Sequence, residues 1–490
     1  MTPLARTLVH VAAVLVVALS AAAGTDQEIA FMAVLKRSQG VGWGSVRAAF
    51  DIHCSDMQTQ RCLLGDDTRL FSYELRAGHT TGQVQDTISD LVATGVLVFG
   101  EANYTAHSVT GQTGSLWVSD VGIGATQYHN QYAGQLLGIN AAHQRSQGQG
   151  ITVAMLDSGV DPTHEAVGGP LSTFQWDLVG NDATPLDEGD GIDNDGDGVI
   201  DDGVGHGTYV TSLVRLIAPK SRLMHIRILN DEGNCDAFML AAGIDLAVAH
   251  GADIINISAS TTFNSAAVAD AVANAKDAGI IVVAAIGNGA VAVPMQLEYP
   301  AALSTSFAIC ATGPLDTKAS FSNWGTAVDF AMPGWSPTHA GGVYQADTSV
   351  LGAVPGEGYA HWSGTSLSAA IMSGAAAVVR AQYPNLTLPA NEVPDFVMGK
   401  ISTTSTSIDA LNPQYAGLLG AGRPNIAAAT LLGPLAPRPG DVNADGLVDS
   451  TDLSIILAGW GACQNDACLG DVDGNTVVDA LDLNVLFSTW

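Results

Sequence analysis

Basic residues are scarce in this chain of 490 residues. Lysine and arginine together number 18, against 48 aspartate and glutamate residues, which gives a formal net charge of −30 at pH 7. Nucleic acid is itself a polyanion, and a protein that binds it needs clustered positive charge. The composition therefore excludes nucleic-acid binding and favours a secreted protein or one that binds cations.

Long apolar runs are also rare. The main one, residues 8–23, follows the basic Arg6 and ends in Ala21-Ala22-Ala23, a pattern of small residues that predicts a secretory signal peptide at residues 1–23. A membrane anchor is the alternative, but the run is shorter than the roughly 20 residues that a span prefers. No second span follows, so we expect a secreted chain without a transmembrane span in its mature form.

Cysteine is sparse too, with six residues in the chain. An exported protein permits disulfides, and Cys54 with Cys62 and Cys463 with Cys468 are near enough in sequence to close local bridges. Cys310 lies in the apolar run 307–311, which predicts a buried thiol instead.

Strands and helices alternate in the pattern from about residue 151 onward. Short apolar runs bounded by Gly, Asp or Asn predict strands at 151–156, 223–229, 252–258, 280–286 and 307–311. Helical patterns are predicted at 209–217, 237–250, 265–278, 367–383 and 391–401, and the segment 314–359 is predicted to be rich in loops. Such alternation predicts an α/β fold with a mostly parallel sheet, helices on both faces and functional residues at the carboxyl ends of strands.

Three polar residues stand at the ends of these predicted elements. Asp157 ends the first strand, His206 lies between two glycines before a helix, and Ser366 directly precedes another helix. Each has an ordinary structural interpretation, such as a helix N-cap for the serine. Together they supply a nucleophile, a base whose ordinary pKa is near neutral and a carboxylate that orients the base.

Chain order decides between the folds that carry such a group. No histidine follows His361, so the order serine, acid, histidine of α/β-hydrolases is impossible with Ser366. That argues against an esterase on such a fold. The observed order is acid, histidine, serine, as in subtilisin.

The motifs around the three residues resemble those of subtilisin-like serine proteases, the subtilases or peptidase S8 family. The matching blocks are Asp157-Ser158-Gly159, His206-Gly207-Thr208 and Gly364-Thr365-Ser366, together with 251–258, 299–302 and 319–323. The resemblance spans about residues 135–432. It implies a subtilisin-like fold and a serine endopeptidase that cleaves protein or peptide substrates through an acyl-enzyme, with Asp157, His206 and Ser366 as catalytic residues.

The same resemblance implies further residues of the site. Asn288 is expected to donate a hydrogen bond to the oxyanion, and the residues expected to bind substrate are Ser258, Ala259, Ser260, Ala285 and Gly287. The segment Ser258-Ala259-Ser260 departs from the family's Ser-Leu-Gly-like sequence. That departure alone favours the alternative of a catalytically inactive, calcium-dependent surface binding protein on the same fold.

An acidic insert widens the spacing between Asp157 and His206. Asp193, Asp195 and Asp197 alternate before Gly198 as in a calcium loop, with Asp201 in reach, but Val204 stands where the loop's last acid belongs. Because so many carboxylates repel one another unless a cation neutralises them, we expect Ca²⁺ here. A solvated acidic loop is the alternative.

Residues 24–115 resemble a subtilase propeptide, a small α+β unit that inhibits the enzyme. The closing segment 98–104 carries this resemblance. A permanent N-terminal domain is the alternative. The expected peptidase domain then covers residues 116–432.

The tail, residues 440–490, follows a Pro-rich linker at 433–439 and repeats itself, since Gly440-Asp441-Val442-Asn443 recurs as Gly470-Asp471-Val472-Asp473. It resembles a type I dockerin, a small all-α module of paired EF-hand-like calcium loops. The resemblance implies a cohesin-like partner and attachment to a cell surface; the alternative is a calcium-binding tail without a partner. The implied calcium ligands are Asp441, Asn443, Asp445, Asp449, Asp452, Asp471, Asp473, Asn475, Asp479 and Asp482.

Overall fold

The structure is a computed structural model that describes residues 28–62, 67–108, 118–119, 123–289, 298–337, 345–356, 358–431, 442, 450–462, 470–472 and 477–489. The expected signal peptide, the linker and the Cys463 and Cys468 pair lie outside these residues. Among the described helices, none combines the length and the apolar character that crossing a bilayer requires.

The N-terminal part is a small α+β unit. Its strands pair in the antiparallel order β4-β1-β3-β2 and its core contains Leu35, Phe50 and Ile88. The elements are β1 (Glu28–Arg37), α1 (Trp43–Phe50), β2 (Cys54–Cys62), β3 (Thr68–Leu75), α2 (Thr81–Ala93) and β4 (Leu97–Ser108).

The local bridge that the spacing of Cys54 and Cys62 allowed does not form in the structure. The two residues are the first and last of β2. Eight steps of about 3.3 Å each place them roughly 26 Å apart, whereas bridged Cα atoms lie within about 7 Å of each other. Cys310, by contrast, is a buried thiol as expected, and burial raises its pKa to about 12.

A seven-stranded parallel sheet forms the centre of the next part, in the order β14-β13-β12-β10-β6-β8-β7. The strands are β5 (Val118–Ser119), β6 (Thr152–Asp157), β7 (Trp176–Asp177), β8 (Arg222–Arg227), β9 (Asn234–Asp236), β10 (Ile254–Ile257), β11 (Ala259–Ser260), β12 (Ile281–Ala285), β13 (Phe307–Thr312), β14 (Val328–Pro333), β15 (Leu351–Val354) and β16 (Gly358–His361). The helices are α3 (Ala125–His129), α4 (Tyr132–Leu136), α5 (Ile139–Ala142), α6 (His206–Ile217), α7 (Ala237–Ala249), α8 (Ala266–Asp277), α9 (Thr365–Arg380), α10 (Val393–Thr404) and α11 (Ile426–Leu431).

Both faces of the central sheet are buried. In β6, Val153 and Met155 belong to the apolar cluster formed with α6 and α9, whereas Ala154 and Leu156 belong to the cluster formed with α7 and α8. Strands covered on both faces are apolar throughout, which is why they were visible in the sequence as continuous runs. The expected α/β fold with helices on both faces is confirmed, and its predicted elements begin and end within three residues of the observed bounds.

The expectation of loops at 314–359 is wrong in part. This segment contains β14 at the sheet edge as well as β15 and the start of β16. Asp329 interrupts the apolar pattern of β14, because its carboxylate accepts a hydrogen bond from the Ala308 N–H at 2.7 Å. Because this acid lies within the strand, the sequence of β14 is not continuously apolar, and hydropathy alone does not predict the strand.

The tail contains α12 (Ser450–Ala458), β17 (Gly461–Ala462), β18 (Val477–Val478) and α13 (Ala480–Thr489), with β17 antiparallel to β18. Asp452 accepts a hydrogen bond from the Val442 N–H at 2.8 Å, and Asp482 accepts the equivalent bond from Val472 at 2.6 Å. The sequence repeat is therefore also a repeat of local structure at these positions.

Candidate active site

Asp157 and His206 meet at the carboxyl end of the central sheet. Asp157 is the last residue of β6, and His206 is the first residue of α6. The His206 Nδ1 lies 2.7 Å from Asp157 Oδ1, and the two residues are 0 % and 1 % exposed. A carboxylate in this position holds the ring and favours the tautomer in which Nδ1 carries the proton.

Two opposing effects act on the pKa of His206. Burial lowers it, whereas the charge of Asp157 and the hydrogen bond to Asp157 raise it by more, so the pKa lies above its ordinary value. The imidazole is neutral, and able to accept a proton, only above that raised pKa.

Ser366 is the second residue of α9 and has no exposed surface. Neither its Oγ nor the His206 Nε2 has a hydrogen-bond partner among the described residues, although both atoms are buried. Ser368, one half-turn further on, instead hydrogen-bonds to the carbonyls of Met332 and Pro333, each at 3.1 Å. Because an unpartnered buried polar atom costs about 1–3 kcal/mol, the bare hydroxyl and ring nitrogen are typical of groups reserved for a reaction.

Asn288 lies beside the start of the same helix. Its Oδ1 accepts a hydrogen bond from the Thr365 N–H at 3.0 Å, which fixes the side chain one residue before Ser366. Its Nδ2 is buried and, within the described part of the chain, has no acceptor. The amide N–H groups are therefore available to a negatively charged oxygen formed next to Ser366.

Asp187, at the start of the acidic insert, links the segments that carry Asp157 and His206. Its buried carboxylate accepts hydrogen bonds from Ser158 Oγ at 2.9 Å and Gly205 N at 3.0 Å, and from both the N–H and the hydroxyl of Thr208. Sequence reasoning gave Asp187 no separate role, because one more acid in an acidic run carries no distinguishing signal.

A substrate-like strand already lies beside the site. Strand β4 pairs antiparallel with β11, where His107 is opposite Ser260 and Ser108 is opposite Ala259. On its other edge, β4 pairs with β9, which sequence reasoning missed because its short polar sequence gives no strand signal. An extended chain therefore fits between β9 and β11.

The other residues expected to bind substrate are mostly buried at the same end of the sheet. Ala285 is the last residue of β12, and the Ser258 hydroxyl accepts a hydrogen bond from Asn256 Nδ2 at 3.0 Å. Gly287 has a φ of 102°, a conformation that favours glycine, and its N–H donates to Thr365 Oγ1 at 3.2 Å. Gly287 thus joins the Asn288 segment to the start of α9.

The acidic insert forms two groups of carboxylates with the spacing of a metal site. One contains Asp193, Asp195 and Asp197, as the sequence suggested. Asp201, which was expected with them, groups instead with Asp190 and Asp231. Its carboxylate accepts hydrogen bonds from the N–H groups of residues 190 and 191, which turn it toward that second group.

Two further acids fit a cation beside the first group. Glu232 is only 5 % exposed, and its Oε2 and the Oδ1 of Asp202 are buried without a partner among the described residues. Burial, followed by the charges of the neighbouring carboxylates, raises the pKa of Asp202 to about 7. Oxygen donors that carry so much uncompensated charge suit a hard cation such as Ca²⁺.

This chain is similar in sequence and in fold to known proteins of one family. The sequence profile of the Subtilase family, Peptidase S8, matches residues 148–420. Thermitase from Thermoactinomyces vulgaris is 30% identical over 263 residues, which cover 51% of this chain and 82% of thermitase. Subtilisin Savinase from Lederbergia lenta is 28% identical over 302 residues, which cover 59% of this chain and 94% of Savinase.

The fold itself is also similar to a solved structure. Fervidolysin from Fervidobacterium pennivorans superimposes with a TM-score of 0.63 at 20% sequence identity, over 84% of this chain and 62% of fervidolysin. The profile match covers more than half of the chain and includes the segments of Asp157, His206, Asn288 and Ser366. The chain therefore belongs to the subtilase family and is a serine endopeptidase.

Proposed function

We propose that Ser366, His206 and Asp157 hydrolyse peptide bonds through an acyl-enzyme. The observation that carries this proposal is the 2.7 Å contact between His206 and Asp157 at the same sheet end as two buried, unpartnered atoms, Ser366 Oγ and His206 Nε2. Asn288 Nδ2 adds an unpartnered donor next to the start of α9.

The chemistry follows from these positions. His206 Nε2 takes the proton of the Ser366 hydroxyl as its oxygen attacks the peptide carbonyl, and Asp157 stabilises the imidazolium that results. Asn288 Nδ2 and the Ser366 N–H donate to the oxyanion. The imidazolium then protonates the leaving amine, and water, activated by the same imidazole, hydrolyses the acyl-enzyme.

Removing the Asn288 donor is expected to slow the reaction without unfolding the protein. In Asn288→Ala, kcat should fall roughly 10²–10³-fold with KM changed little, because the lost hydrogen bond forms mainly in the transition state; this is the loss known from subtilisin, a member of the same family. The Asn288→Asp variant keeps the oxygen that accepts from Thr365 but lacks the donor, so it should lose at least as much kcat. Steady-state kinetics of both variants checks this, and an unchanged kcat in either would remove Asn288 from the mechanism.

Residues 24–115 are proposed to be the inhibitory propeptide. Strand β4 occupies the edge of β11 where a substrate would pair, and Ser366 has no exposed surface. The unit is anchored by Glu101, whose carboxylate accepts hydrogen bonds from the first N–H groups of α8. An ion pair of 2.6 Å between Lys36 and Asp270 adds a second anchor. In this arrangement the enzyme is blocked until the unit is cleaved and released.

The acidic insert is proposed to bind Ca²⁺ through Asp193, Asp195 and Asp197, with Asp202 and Glu232 as additional ligands. Such a cation would brace two parts of the site. The insert continues through Gly203 directly into His206. The N–H of Gly203 donates a hydrogen bond to the Asp231 carbonyl at 2.8 Å. Glu232 stands two residues before β9, one edge of the substrate groove.

Calcium removal is expected to lower stability and activity together. With free Ca²⁺ about 100-fold above Kd, binding contributes about 2.7 kcal/mol, so a chelator should lower Tm by roughly 5–10 °C. In the Asp195→Asn variant, most of that decrease in Tm should already be present before the chelator is added. The Asp479→Asn variant, whose substitution lies in the tail, should keep its peptidase activity unchanged. Thermal denaturation and peptide hydrolysis, each measured with and without chelator, report both effects. A Tm and a hydrolysis rate that do not change on chelation would exclude the proposed stabilisation by Ca²⁺.

The tail is proposed to be a dockerin-like attachment module on a secreted enzyme. Its support is the structural repeat in which Asp452 and Asp482 accept equivalent backbone hydrogen bonds. Asp471 and Asp479 are also described, and Asp479 donates its N–H to Asp482 at 2.8 Å. The remaining expected ligands lie outside the described residues: Asp441, Asn443, Asp445, Asp449, Asp473 and Asn475. A cohesin-like scaffold is the partner that the tail resemblance implies.

A further inference from the structure

Trp362 packs edge to face against His206. The two ring centroids lie 5.4 Å apart with an interplanar angle of 87°, which is an arrangement that aromatic pairs prefer. Trp362 is buried and stands between β16 and α9, four residues before Ser366. One side chain therefore connects the segment that carries the proposed nucleophile with the ring of the proposed base.

Tyr209 packs against the same indole. Its ring centroid lies 5.5 Å from that of Trp362 at an interplanar angle of 84°. Tyr209 follows His206 by three positions on α6, and residues with this spacing share one face of a helix. The rings of His206 and Tyr209 therefore both contact the indole from α6.

Tyr209 and Trp362 are both anchored through Val350, the residue directly before β15. The Tyr209 hydroxyl donates to the Val350 carbonyl at 2.8 Å. The Val350 N–H donates to Ser336 Oγ at 2.9 Å, and the hydroxyl of Ser336 donates to the Trp362 carbonyl at 2.8 Å. Gly352 covers the Tyr209 ring so closely that an added Cβ would lie 2.6 Å from it. Neither aromatic residue can shift without breaking these contacts.

Asp157 holds the His206 ring at one atom only. It contacts Nδ1 at 2.7 Å, and a single hydrogen bond still permits the ring to swing about that atom. Proton transfer requires Nε2 to be directed at the Ser366 hydroxyl, and a misplacement of about 1 Å can cost about 10²-fold in rate. An edge-to-face contact depends on the angle between the rings, so Trp362 opposes such a swing.

We propose that Trp362 is a positioning residue that holds the His206 imidazole toward Ser366, with Tyr209 as its support; the inference rests on the proposed function. The indole N–H is buried and has no acceptor among the described residues. An unpartnered buried donor lowers stability, and a leucine would avoid that cost. Apolar packing alone thus does not account for an indole at this place, whereas the need for a large, flat ring against both His206 and Tyr209 does.

The test measures two rates in the mature enzyme, peptide hydrolysis and the labelling of Ser366 by a serine-directed phosphonate, and counts active sites from the final extent of labelling. In Trp362→Leu, kcat per active site is expected to fall roughly 10–100-fold while KM changes little. Labelling should slow by a similar factor, because this small probe needs the same base. Trp362→Phe, which keeps a ring against the imidazole, should recover most of both rates.

The support from Tyr209 predicts coupling between the two aromatic positions. Tyr209→Leu should lower kcat roughly 3–10-fold, less than Trp362→Leu. Combining the two substitutions should cost no more than Trp362→Leu alone, because Tyr209 acts through Trp362. Losses that simply multiply in the double variant would contradict the supporting role of Tyr209.

Tyr383→Leu is the matched control. It removes a buried ring from another edge-to-face pair, formed with Phe396 at 5.1 Å. It should lower Tm and leave both rates unchanged. A loss of rate as large as that in Trp362→Leu would show a general effect of core packing and would contradict the proposal.

Other outcomes would overturn the assignment. A Trp362→Leu enzyme with unchanged kcat contradicts it, and so does one that loses peptide hydrolysis but is labelled at the wild-type rate, which would show a contact with the peptide only. If Trp362→Leu does not fold, Tyr209→Leu decides, and an unchanged kcat in that variant contradicts the proposal. Failure of the proposed function would be distinct, since the wild-type enzyme would cleave no peptide and would not react with the phosphonate.

Discussion

Replacing Ser366 by alanine is expected to lower kcat for peptide hydrolysis roughly 10⁶-fold, the magnitude known for the nucleophile of subtilisin, a member of the same family. The reason is that Ser366 Oγ is the nucleophile and no described neighbour uses it for structure. The free energy of unfolding should therefore change little. The variant should also keep residues 24–115 covalently attached, if the enzyme cleaves its own propeptide. Hydrolysis assays, thermal denaturation and the mass of the secreted product measure these three effects.

Ser368→Ala is the matched control. It removes a hydroxyl from the same buried helix, but one that hydrogen-bonds to the carbonyls of Met332 and Pro333. That variant should lose about 1 kcal/mol of stability and keep its catalytic rate. A Ser366→Ala enzyme that hydrolyses peptides at the wild-type rate would contradict the proposed mechanism.

Asp157→Asn is expected to lower kcat roughly 10⁴-fold, because an amide favours the wrong tautomer of His206. It should also shift the pH profile. Burial lowers the pKa of His206 and Asp157 raises it by more, so wild-type activity should be lost as pH falls through a value above 6.5, below which the imidazole is charged. Without the Asp157 carboxylate the effect of burial is opposed only by the weaker effect of the Asp187 charge, so the midpoint of the residual activity should move to lower pH. The pH dependence of kcat/KM measures both midpoints.

Asp253→Asn is the matched control, because Asp253 directly precedes β10, the strand that pairs with β6, at the end of the sheet opposite to Asp157. Asp253 accepts a hydrogen bond from the Thr152 N–H at 2.8 Å, at the start of β6, whereas Asp157 ends that strand. The control should keep the wild-type rate and the wild-type midpoint. An acid midpoint that stays in place in Asp157→Asn would show that Asp157 does not control the protonation of His206.

Much of the fold was predictable from the sequence because the central strands are buried on both faces. Val153 to Leu156 are all apolar, so β6 and its neighbours stand out by hydropathy. Strand β14 was not predictable in this way, since Asp329 interrupts its pattern and finds its partner only in the folded sheet. The extended path of β2, which separates Cys54 from Cys62, also depends on pairing with β3.

The site could be predicted in part for a related reason. Asp157, His206 and Ser366 stand in motifs whose local sequence is distinctive. Asp187 does not, because a single acid in a loop gains its meaning only from partners far away in sequence. Ser158 lies 29 residues from Asp187, and Thr208 lies 21 residues from it. Contacts of this kind form only in the folded chain, so the local sequence does not predict them.

The most direct measurement is the mass-spectrometric mapping of a serine-directed phosphonate on the mature enzyme. The mechanism predicts one adduct per chain, located on Ser366 and nowhere else, with labelling strongly slowed in His206→Ala because the hydroxyl then lacks its base. Labelling of a different serine, or full hydrolytic activity in enzyme that carries the adduct on Ser366, would contradict the assignment of Ser366 as the nucleophile.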